Sequence, residues 1–599
     1  MTTTELTGAE EVAWDLADLY DSTDDPRIEQ HIEESEAAAA AFRERYYGKV
    51  SELDAAGLAE AIGERERIEE ILTRAAYFAH LNFATNMADA PRGALVARVT
   101  EKGAQLDTQL LFFGLEIAAL ADDQAEALIE SPELESWQHW LRSLRKYRPY
   151  LLSEPEEKII TEKSVSGVSA WDRLFDEVMT VVKVDLDGEE ISFEEAMAKL
   201  HSADRDLRRS VAESVTESLA PGLRTRVFIF NTIVVDKSID DRLRGYPTWI
   251  SARNLANDTT DEAVQALIDA ATSRYDIPQR YYKLKAKLIG LDQIAFYDRF
   301  APIGDDPSTV TWDEARDIVT NAYADFATEA GDVAERFFSA RWIDAAVRDN
   351  KRHGAFCATA VPGVHPYILM SYTGDRRSIL TLAHELGHGL HGYLSQPLGL
   401  FNQSTPLTTA ETASVFGEAL TFKRLLALED DPQGRLNLLA GRIEDSIATV
   451  FRQIAMNRFE DAVHNGRRES GELSPEMLEE HWLNTQKDLF GDSVDTGGYG
   501  TWWSYIPHFM GTPGYVYAYA YGFLFALTIF RKYEVEGDSM VEPYFDLLRA
   551  GGSKAPEDLA AMVGLDLTDP SIWSSGIDAL AAELDEAEAL AAEIGLGES

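Results

Sequence analysis

Cysteine is almost absent from this chain of 599 residues, since Cys357 is the only one. A disulfide framework needs at least two cysteines, and thiolate-built zinc or iron–sulfur sites need several. Both are therefore excluded within the chain, and any metal site must be built from histidine and carboxylate side chains.

Long hydrophobic runs are also missing. The longest apolar stretch, residues 515–530, is shorter than the ~20 residues that span a bilayer and contains Gly522 and several tyrosines. We therefore expect this stretch to lie in a protein core. The first residues show neither the basic flank nor the apolar segment of a signal peptide, so the expected compartment is the cytoplasm.

Basic residues are scarce relative to acidic ones. The chain has 55 Lys and Arg against 103 Asp and Glu, a formal net charge of −48. Such a surface repels phosphate backbones and anionic lipids, which argues against nucleic-acid and membrane partners. Because the acids are spread over the whole chain, they favour a hydrated surface adapted to high salt, where self-repulsion is screened. An acidic surface that attracts cationic peptides is a compatible alternative.

Hydrophobic spacing predicts a chain that is mainly helical. Residues 24–160 carry Ala, Glu, Leu and Arg at helical spacing, which indicates successive antiparallel helices. A β-branched stretch within 181–193 predicts a short hairpin with its turn at Asp187-Gly188.

A second β-like patch covers residues 355–372. It predicts two short strands joined at Pro362-Gly363, directly before a helix that begins near Arg377. Residues 574–594 predict one more acidic helix.

The clearest chemical signal lies in residues 381–393, Thr-Leu-Ala-His-Glu-Leu-Gly-His-Gly-Leu-His-Gly-Tyr. On a helix, His384 and His388 lie on one face and can direct both imidazoles at one cation, while Glu385 can reach a water beside it. This is a zinc hydrolase pattern. The alternative is a helix with ordinary core or surface histidines, although each buried imidazole would then need a partner.

The histidine at position 391 excludes one subclass of zinc enzyme. The extended metzincin pattern needs Gly at 391 and His at 394, whereas this chain has His391 and Leu394. A third ligand must therefore lie elsewhere. We expect His391 to support the site from behind rather than bind as a fourth ligand, because a catalytic zinc keeps one position open.

The segment 408–418, Thr-Thr-Ala-Glu-Thr-Ala-Ser-Val-Phe-Gly-Glu, offers a candidate third ligand. Thr408 or Thr409 is expected to cap a new helix, on which Glu411 and Glu418 fall two turns apart on the same side. Glu411 would then bind the metal and Glu418 would orient a ligand histidine. In a chain this acidic, a solvated helix face is the alternative for either residue.

These parts support metal-assisted hydrolysis. Zinc lowers the pKa of a bound water toward ~7 and polarises the scissile carbonyl, while Glu385 accepts the water proton and passes it to the leaving amine. The oxyanion needs hydrogen-bond donors, which His508 and the four alternating tyrosines from 515 to 521 could supply. Their spacing fits a strand, a helix face or an aromatic core stripe, so all three stay open.

Taken together, the motifs resemble oligoendopeptidase F, of the thimet-oligopeptidase-like zinc metallopeptidases, over nearly the whole chain. The segments that carry the resemblance are Trp14–Tyr20, Leu144–Glu154, Arg280–Leu291 with Tyr297-Asp298, His365–Leu369, the histidine-rich helix, and His508-Phe509 with Tyr515–Tyr519.

The resemblance implies His384, His388 and Glu411 as the ligands of one zinc ion per chain, with Glu385 as the general base. It implies that the strand over residues 354–358 binds an extended peptide through its backbone.

By the same resemblance, His508 is expected to contact the substrate carbonyl or oxyanion. Tyr515 and Tyr519 are similar to the active-site tyrosines of the family.

The fold implied is mainly α, with two helical lobes that enclose a deep substrate channel and a small β-sheet beside the zinc helix. We expect an N-terminal helical lobe over residues 1–200 and a catalytic domain over 201–599. The expected activity is that of a cytoplasmic zinc endopeptidase acting on short unstructured peptides, and no pattern indicates an oligomeric state.

Two alternatives remain at this point. The same chemistry could trim a free terminus, as in a carboxypeptidase or dipeptidase. A non-catalytic peptide-binding protein is disfavoured, because both candidate histidine ligands, the base and Glu411 are all present.

Overall fold

The computed structural model describes residues 6–304 and 309–596, and the mainly α fold predicted from the sequence is confirmed. The α-helices of the described residues, α1 to α26 in chain order, are Pro26–Tyr46, Ala55–Ala84, Ala90–Ala119, Asp122–Ile129, Gln138–Lys146, Glu154–Ser164, Val168–Thr180, Phe193–Lys199, Arg205–Leu219, Leu223–Arg244, Ser251–Ala256, Asp261–Ser273, Asp276–Leu288, Trp312–Phe326, Thr328–Ser339, Arg376–Ser395, Leu407–Ala410, Thr412–Leu428, Pro432–Ser446, Arg452–Ser470, Pro475–Phe490, His508–Gly511, Tyr517–Glu536, Val541–Ala550, Pro556–Met562 and Ser571–Glu593.

The β-structure of the described residues is confined to three small sheets. One is an antiparallel pair, β1 with β2, one is a parallel pair, β3 with β7, and one has the order β4-β6-β5. In the last sheet β4 and β6 are parallel, whereas β5 and β6 are antiparallel. The strands β1 to β7 are Lys183–Leu186, Glu189–Ser192, Ile294–Ala295, Ile343–Asp344, Phe356–Ala358, Tyr367–Leu369 and Val494–Asp495.

The β1–β2 hairpin lies where the sequence predicts it. Asp187 and Gly188 form its turn with φ of 56° and 87°. Positive φ at both central residues is the geometry that a two-residue hairpin turn favours, because its twist matches that of the strands. The acidic C-terminal helix is confirmed as well, as α26.

The chain forms two compact units, each built from three separate segments. The first unit comprises the described parts of residues 1–151, 307–427 and 529–567. Its core includes α1, α2 and α3, where Phe42 packs against Phe113 with ring centroids 5.1 Å apart. Trp14 joins this core by an edge-to-face contact with Tyr367 of β6, at 6.0 Å.

The second unit comprises the described parts of residues 152–306, 428–528 and 568–599. Its core contains an aromatic cluster in which Phe459 of α20 contacts Trp482 of α21 and Phe509 of α22, at 5.4 and 5.1 Å. Residues 1–151 of the expected N-terminal lobe thus belong to the first unit, and residues 152–200 belong to the second.

The apolar run over residues 515–530 is buried core, as the sequence predicts. Most of it forms the first part of α23, where nearly every side chain is buried. Among the described residues, no helix combines the length and hydropathy needed to cross a membrane.

Two helices of the first unit cross at backbone contact. A Cβ atom at Gly387 of α16 would lie 2.5 Å from Ser414 Cα of α18 and closer still to the Ala413 carbonyl oxygen. Cβ atoms do not approach other atoms so closely, so this crossing requires glycine. The Tyr544 ring of α24 stacks on Phe416 of α18 with ring centroids 4.3 Å apart, which packs α18 against α24.

We predict that Gly387→Ala destabilises the protein by about 1–3 kcal/mol, because the added methyl group meets backbone that cannot rotate away. The measurement is the urea unfolding midpoint. Gly103 is the matched control, since it lies inside α3 with no atom within 4 Å of its added Cβ. Gly103→Ala should stabilise by about 0.5–1 kcal/mol, as expected for alanine in an open helical position. Similar midpoint shifts in the two variants would contradict this account of the crossing.

Candidate metal centre

The helix α16 begins at Arg376, which agrees with the start near Arg377 that the sequence predicts. Asp375 caps it, since its carboxylate accepts the Ser378 N–H at 2.7 Å. The helix then continues without interruption to Ser395, so His384 and His388 lie one turn apart on the same side, with ring centroids 5.0 Å apart.

Three side chains of the first unit converge beside this face. His384, His388 and Glu411 each offer one ligand atom, and these atoms all lie within 4.8 Å of one another. Glu411 Oε2 is 3.3 Å from His384 Nε2 and 3.5 Å from His388 Nε2. Tetrahedral zinc with ligands at 2.0–2.1 Å separates them by about 3.3 Å, so two imidazoles and a carboxylate fit this ion.

Glu411 is positioned by a break between two helices. It follows α17 and directly precedes α18, and the Ser414 hydroxyl donates to its Oε2 at 2.6 Å. The expectation that Thr408 or Thr409 caps a helix is wrong, because both lie inside α17. Pro406 stands at the N-cap position instead, where its missing N–H costs nothing.

Both histidines of the cluster are oriented by hydrogen-bond acceptors. Glu418 Oε2 lies 3.2 Å from His384 Nδ1, which leaves Nε2 facing Glu411. The His388 ring bonds to the Ala410 carbonyl. Such partners fix the ring orientation and the tautomer of a metal-binding histidine.

The electrostatics of the cluster follow from burial and from these pairings. Burial favours a neutral His384, but the hydrogen bonds to Glu411 and Glu418 outweigh it and raise the pKa of His384. Burial lowers the pKa of His388 to about 4, which keeps its imidazole neutral. Burial alone would raise the pKa of Glu411, yet the hydrogen bond from His384 and the nearby His388 hold it well below its usual range.

Glu385 lies beside the cluster in a different environment. It is 6% exposed, and within the described part of the chain its Oε2 has no hydrogen-bond partner. Burial raises the pKa of Glu385 to about 7, and the charge on His384 and the Cys357 N–H oppose that rise only in part. The carboxyl group is therefore poised to exchange a proton near neutral pH.

His391 is buried two turns along α16 from His384. Burial, aided by His388, lowers its pKa to about 4, so the ring is neutral. Among the described residues, the side chains placed to hold a metal ion are His384, His388 and Glu411, and His391 is not one of them.

The other predicted site residues belong to the second unit. His508 begins α22, Tyr515 precedes α23, and Tyr519 lies in its first turn. The His508 and Tyr515 rings are 6.0 Å apart and nearly parallel, while His508 Nε2 lies 3.4 Å from Tyr519 Oη. Burial, with the charge of Arg452, lowers the pKa of His508 and favours its neutral form.

The helix α23 resolves the conformations left open for the tyrosines. Tyr517 and Tyr521 lie four residues apart on its buried face, where Tyr517 accepts a hydrogen bond from Asn257 at 2.9 Å. Tyr515 and Tyr519 are only partly buried. Tyr517 and Tyr521 are therefore core residues. Tyr515 and Tyr519 are the two tyrosines that contact His508.

Two contributors to the site were not anticipated from the sequence. Gly387 lies between His384 and His388, and its lack of a side chain lets the α18 backbone approach α16. Its position inside the His-Glu-Leu-Gly-His motif could have indicated this role. Tyr323 donates its hydroxyl to the Ala383 carbonyl at 2.7 Å, directly before His384. Nothing in its local sequence distinguishes Tyr323 from other tyrosines.

Two family models match this chain. Residues 311–578, which include the metal cluster, match the model described as peptidase family M3. Residues 116–183 match the model described as oligopeptidase F.

Individual proteins give the same result. Oligopeptidase PepF of Bacillus subtilis (strain 168) is 29% identical over 91% of this chain and 82% of its own. An oligoendopeptidase F homolog of Borreliella burgdorferi is 25% identical over 96% and 97%.

Solved structures share the fold. A crystal structure from Chlamydophila abortus superposes with a TM-score of 0.82 at 22% identity, covering 96% of this chain and 98% of the other. Oligoendopeptidase-F from Enterococcus faecium gives 0.71 at 21% identity, covering 94% and 98%. With the fold, the two family models and the full-length relatives in agreement, the chain belongs to peptidase family M3, among the oligoendopeptidase F proteins.

Proposed function

We propose that this peptidase is a zinc endopeptidase that hydrolyses internal bonds of short, unstructured oligopeptides. The observation that carries the proposal is the cluster of His384, His388 and Glu411, whose ligand atoms lie within 4.8 Å of one another, beside the buried Glu385, whose Oε2 has no hydrogen-bond partner within the described residues. The family assignment and the names of the relatives support the substrate class.

The chemistry divides between the metal and the chain. Zinc, when bound by His384, His388 and Glu411, supplies a Lewis acid that acidifies water and polarises a carbonyl. Glu385 accepts a proton from the attacking water as general base and returns it to the leaving amine nitrogen as general acid. Burial, which raises the pKa of Glu385, favours a carboxyl group that can both accept and return a proton.

Two residues behind the ligands have supporting roles in this proposal. Glu418 accepts the Nδ1 proton of His384 and keeps Nε2 free for the metal. We propose that His391 supports the site and does not bind the metal, because a catalytic zinc would need one position open for water and substrate.

We propose that the substrate lies extended along β5. This strand is at the edge of the β4-β6-β5 sheet and packs against α16. Because backbone pairing needs no particular side chain, such an edge accepts peptides of many sequences. The Cys357 N–H of β5 also contacts Glu385, which ties the strand to the general base.

His508, Tyr515 and Tyr519 are proposed to donate hydrogen bonds to the substrate carbonyl and its oxyanion. A neutral imidazole and two phenols each carry one donor hydrogen, which is the chemistry that this charge requires. The assignment rests on the family resemblance and on the grouping of the three rings.

We also propose that the enzyme works in the cytoplasm and is adapted to high salt. A single cysteine gives the chain no disulfide framework, which suits a reducing compartment. Even if every Lys and Arg paired with one acidic residue, 48 carboxylates would keep no Lys or Arg partner. Their mutual repulsion is screened when the ionic strength is high.

Glu385→Gln is expected to lower kcat by about 10²–10⁴-fold, because the amide cannot accept the proton of the water. The assay uses zinc-loaded protein, a short quenched fluorescent peptide and molar salt, with mass spectrometry to place the cleaved bond. Glu44→Gln is the control, since it makes the same change at an exposed position of α1 and should leave kcat unchanged. If Glu385→Gln binds zinc and is as active as the wild type, the proposed mechanism is wrong.

Glu418→Gln is expected to weaken zinc binding by about 10–100-fold, because an uncharged acceptor supports His384 less well. The dissociation constant is measured by competition with a chromophoric chelator, which requires no catalytic activity. An affinity equal to that of the wild type would remove Glu418 from the proposed site.

Dilution from molar salt is expected to lower the melting temperature by several degrees and reduce activity. The Debye length grows from about 3 Å at 1 M to about 30 Å at 0.01 M, which exposes the acidic surface to its own repulsion. Sucrose is the control, because it stabilises by exclusion from the surface without screening charge. Equal melting temperature and activity in dilute buffer would refute the proposed adaptation.

A further inference from the structure

The segment between α22 and α23 is a tight turn of defined type. The Thr512 carbonyl accepts the Tyr515 N–H at 3.1 Å, with Pro513 and Gly514 between them, and φ at Gly514 is +75°. Proline at the second position and glycine with positive φ at the third are the features of a type II β-turn. The turn separates His508 from Tyr515 and Tyr519.

The central peptide of this turn is held from both ends. Glu460 Oε1 of α20 accepts the Gly514 N–H at 2.8 Å, and Arg253 Nε of α11 donates to the Pro513 carbonyl at 3.4 Å. The type I alternative has this peptide turned over, so both groups would point away from their partners. Glu460 and Arg253 therefore favour the type II form.

Glu460 is a costly residue to place at this position. It is completely buried, and its Oε2 has no hydrogen-bond partner within the described residues. A buried carboxyl group without an ion-pair partner opposes folding, and burial raises the pKa of Glu460 to about 8. The hydrogen bond that Glu460 accepts from the Gly514 N–H offsets part of this cost.

We propose that Glu460, assisted by Arg253, is a positioning residue that fixes the Pro513–Gly514 peptide and thereby holds Tyr515 and Tyr519 against His508. The inference rests on the proposed function, in which those three rings face the substrate carbonyl. Their geometry is closely set, since the Tyr515 and Tyr519 rings are perpendicular at 4.9 Å and His508 Nε2 is 3.4 Å from Tyr519 Oη. Small displacements of catalytic groups are expensive in rate, at about 10²-fold for ~1 Å.

The test compares two replacements of Glu460. Glu460→Gln keeps the acceptor oxygen and the shape of the uncharged acid, so kcat should stay within about threefold of the wild type. Glu460→Met keeps the length and removes the acceptor, so kcat should fall by about 10–100-fold while KM changes by less than about threefold. Hydrogen exchange of the peptide covering residues 509–516 should quicken in the Met variant only.

The matched control is Gln486→Met, which makes the same kind of change at another completely buried position of the second unit, on α21. It should leave both kcat and the exchange of residues 509–516 unchanged. Wild-type kcat in Glu460→Met would overturn the proposal. An equal loss of kcat in the Gln and Met variants would overturn it too, because the acceptor oxygen would then not be the cause.

The exchange measurement separates this inference from the proposed function. If the zinc-loaded wild type cleaves no peptide, the proposed function fails. The hydrogen-exchange measurement then tests the role of the Glu460 hydrogen bond by itself, and unchanged protection of residues 509–516 in Glu460→Met would overturn that role. If the wild type is active and Glu460→Met loses protection but keeps kcat, the positioning role is overturned while the endopeptidase proposal stands.

Discussion

The metal cluster depends on one close approach, the crossing of α16 and α18 at Gly387. Two of the clustered side chains, His384 and His388, come from a single helix, and helical periodicity alone brings them together. Glu411 directly precedes another helix, and its distance from the histidines is set by how near that backbone can come. Because Gly387 has no side chain, Ala413 and Ser414 lie directly against it, and Glu411 is carried within 3.5 Å of both histidines. The Tyr544 ring packs on Phe416 of the same helix.

Three glutamates, of which Glu385 and Glu460 are buried and Glu411 is partly buried, show how far environment, rather than residue type, decides chemistry. Glu411 faces two imidazoles and stays ionised. Glu385 follows His384 in the chain. Burial raises its pKa to about 7, and a hydrogen bond from the Cys357 N–H opposes that rise only in part. Glu460 has a single backbone partner and a pKa of about 8. In a sequence with 103 acids, none of these differences can be seen from composition.

Local features of the fold were predictable because local rules decide them. The β-branched stretch with the Asp187-Gly188 dipeptide located the hairpin, and the His-Glu-Leu-Gly-His motif located the helix that carries both histidines of the cluster. The cap at Thr408 or Thr409 was wrong because Pro406 already starts a helix there. Non-local features were beyond reach: Glu460 comes 54 residues before Gly514, and no periodicity connects them.

The interleaving of the two units has a consequence for synthesis of the protein. The first unit takes its segments from the described parts of residues 1–151, 307–427 and 529–567, so Trp14 meets Tyr367 only after most of the chain exists. At about 5–20 residues per second, the helices α1 to α3 wait roughly 20–80 s for the last of these segments to leave the ribosome. During that time the apolar surface of these helices is not yet covered by the later segments. The strong negative charge of the chain opposes association with neighbouring nascent chains. The net charge of −48 thus helps to keep the unfinished chain apart from its neighbours.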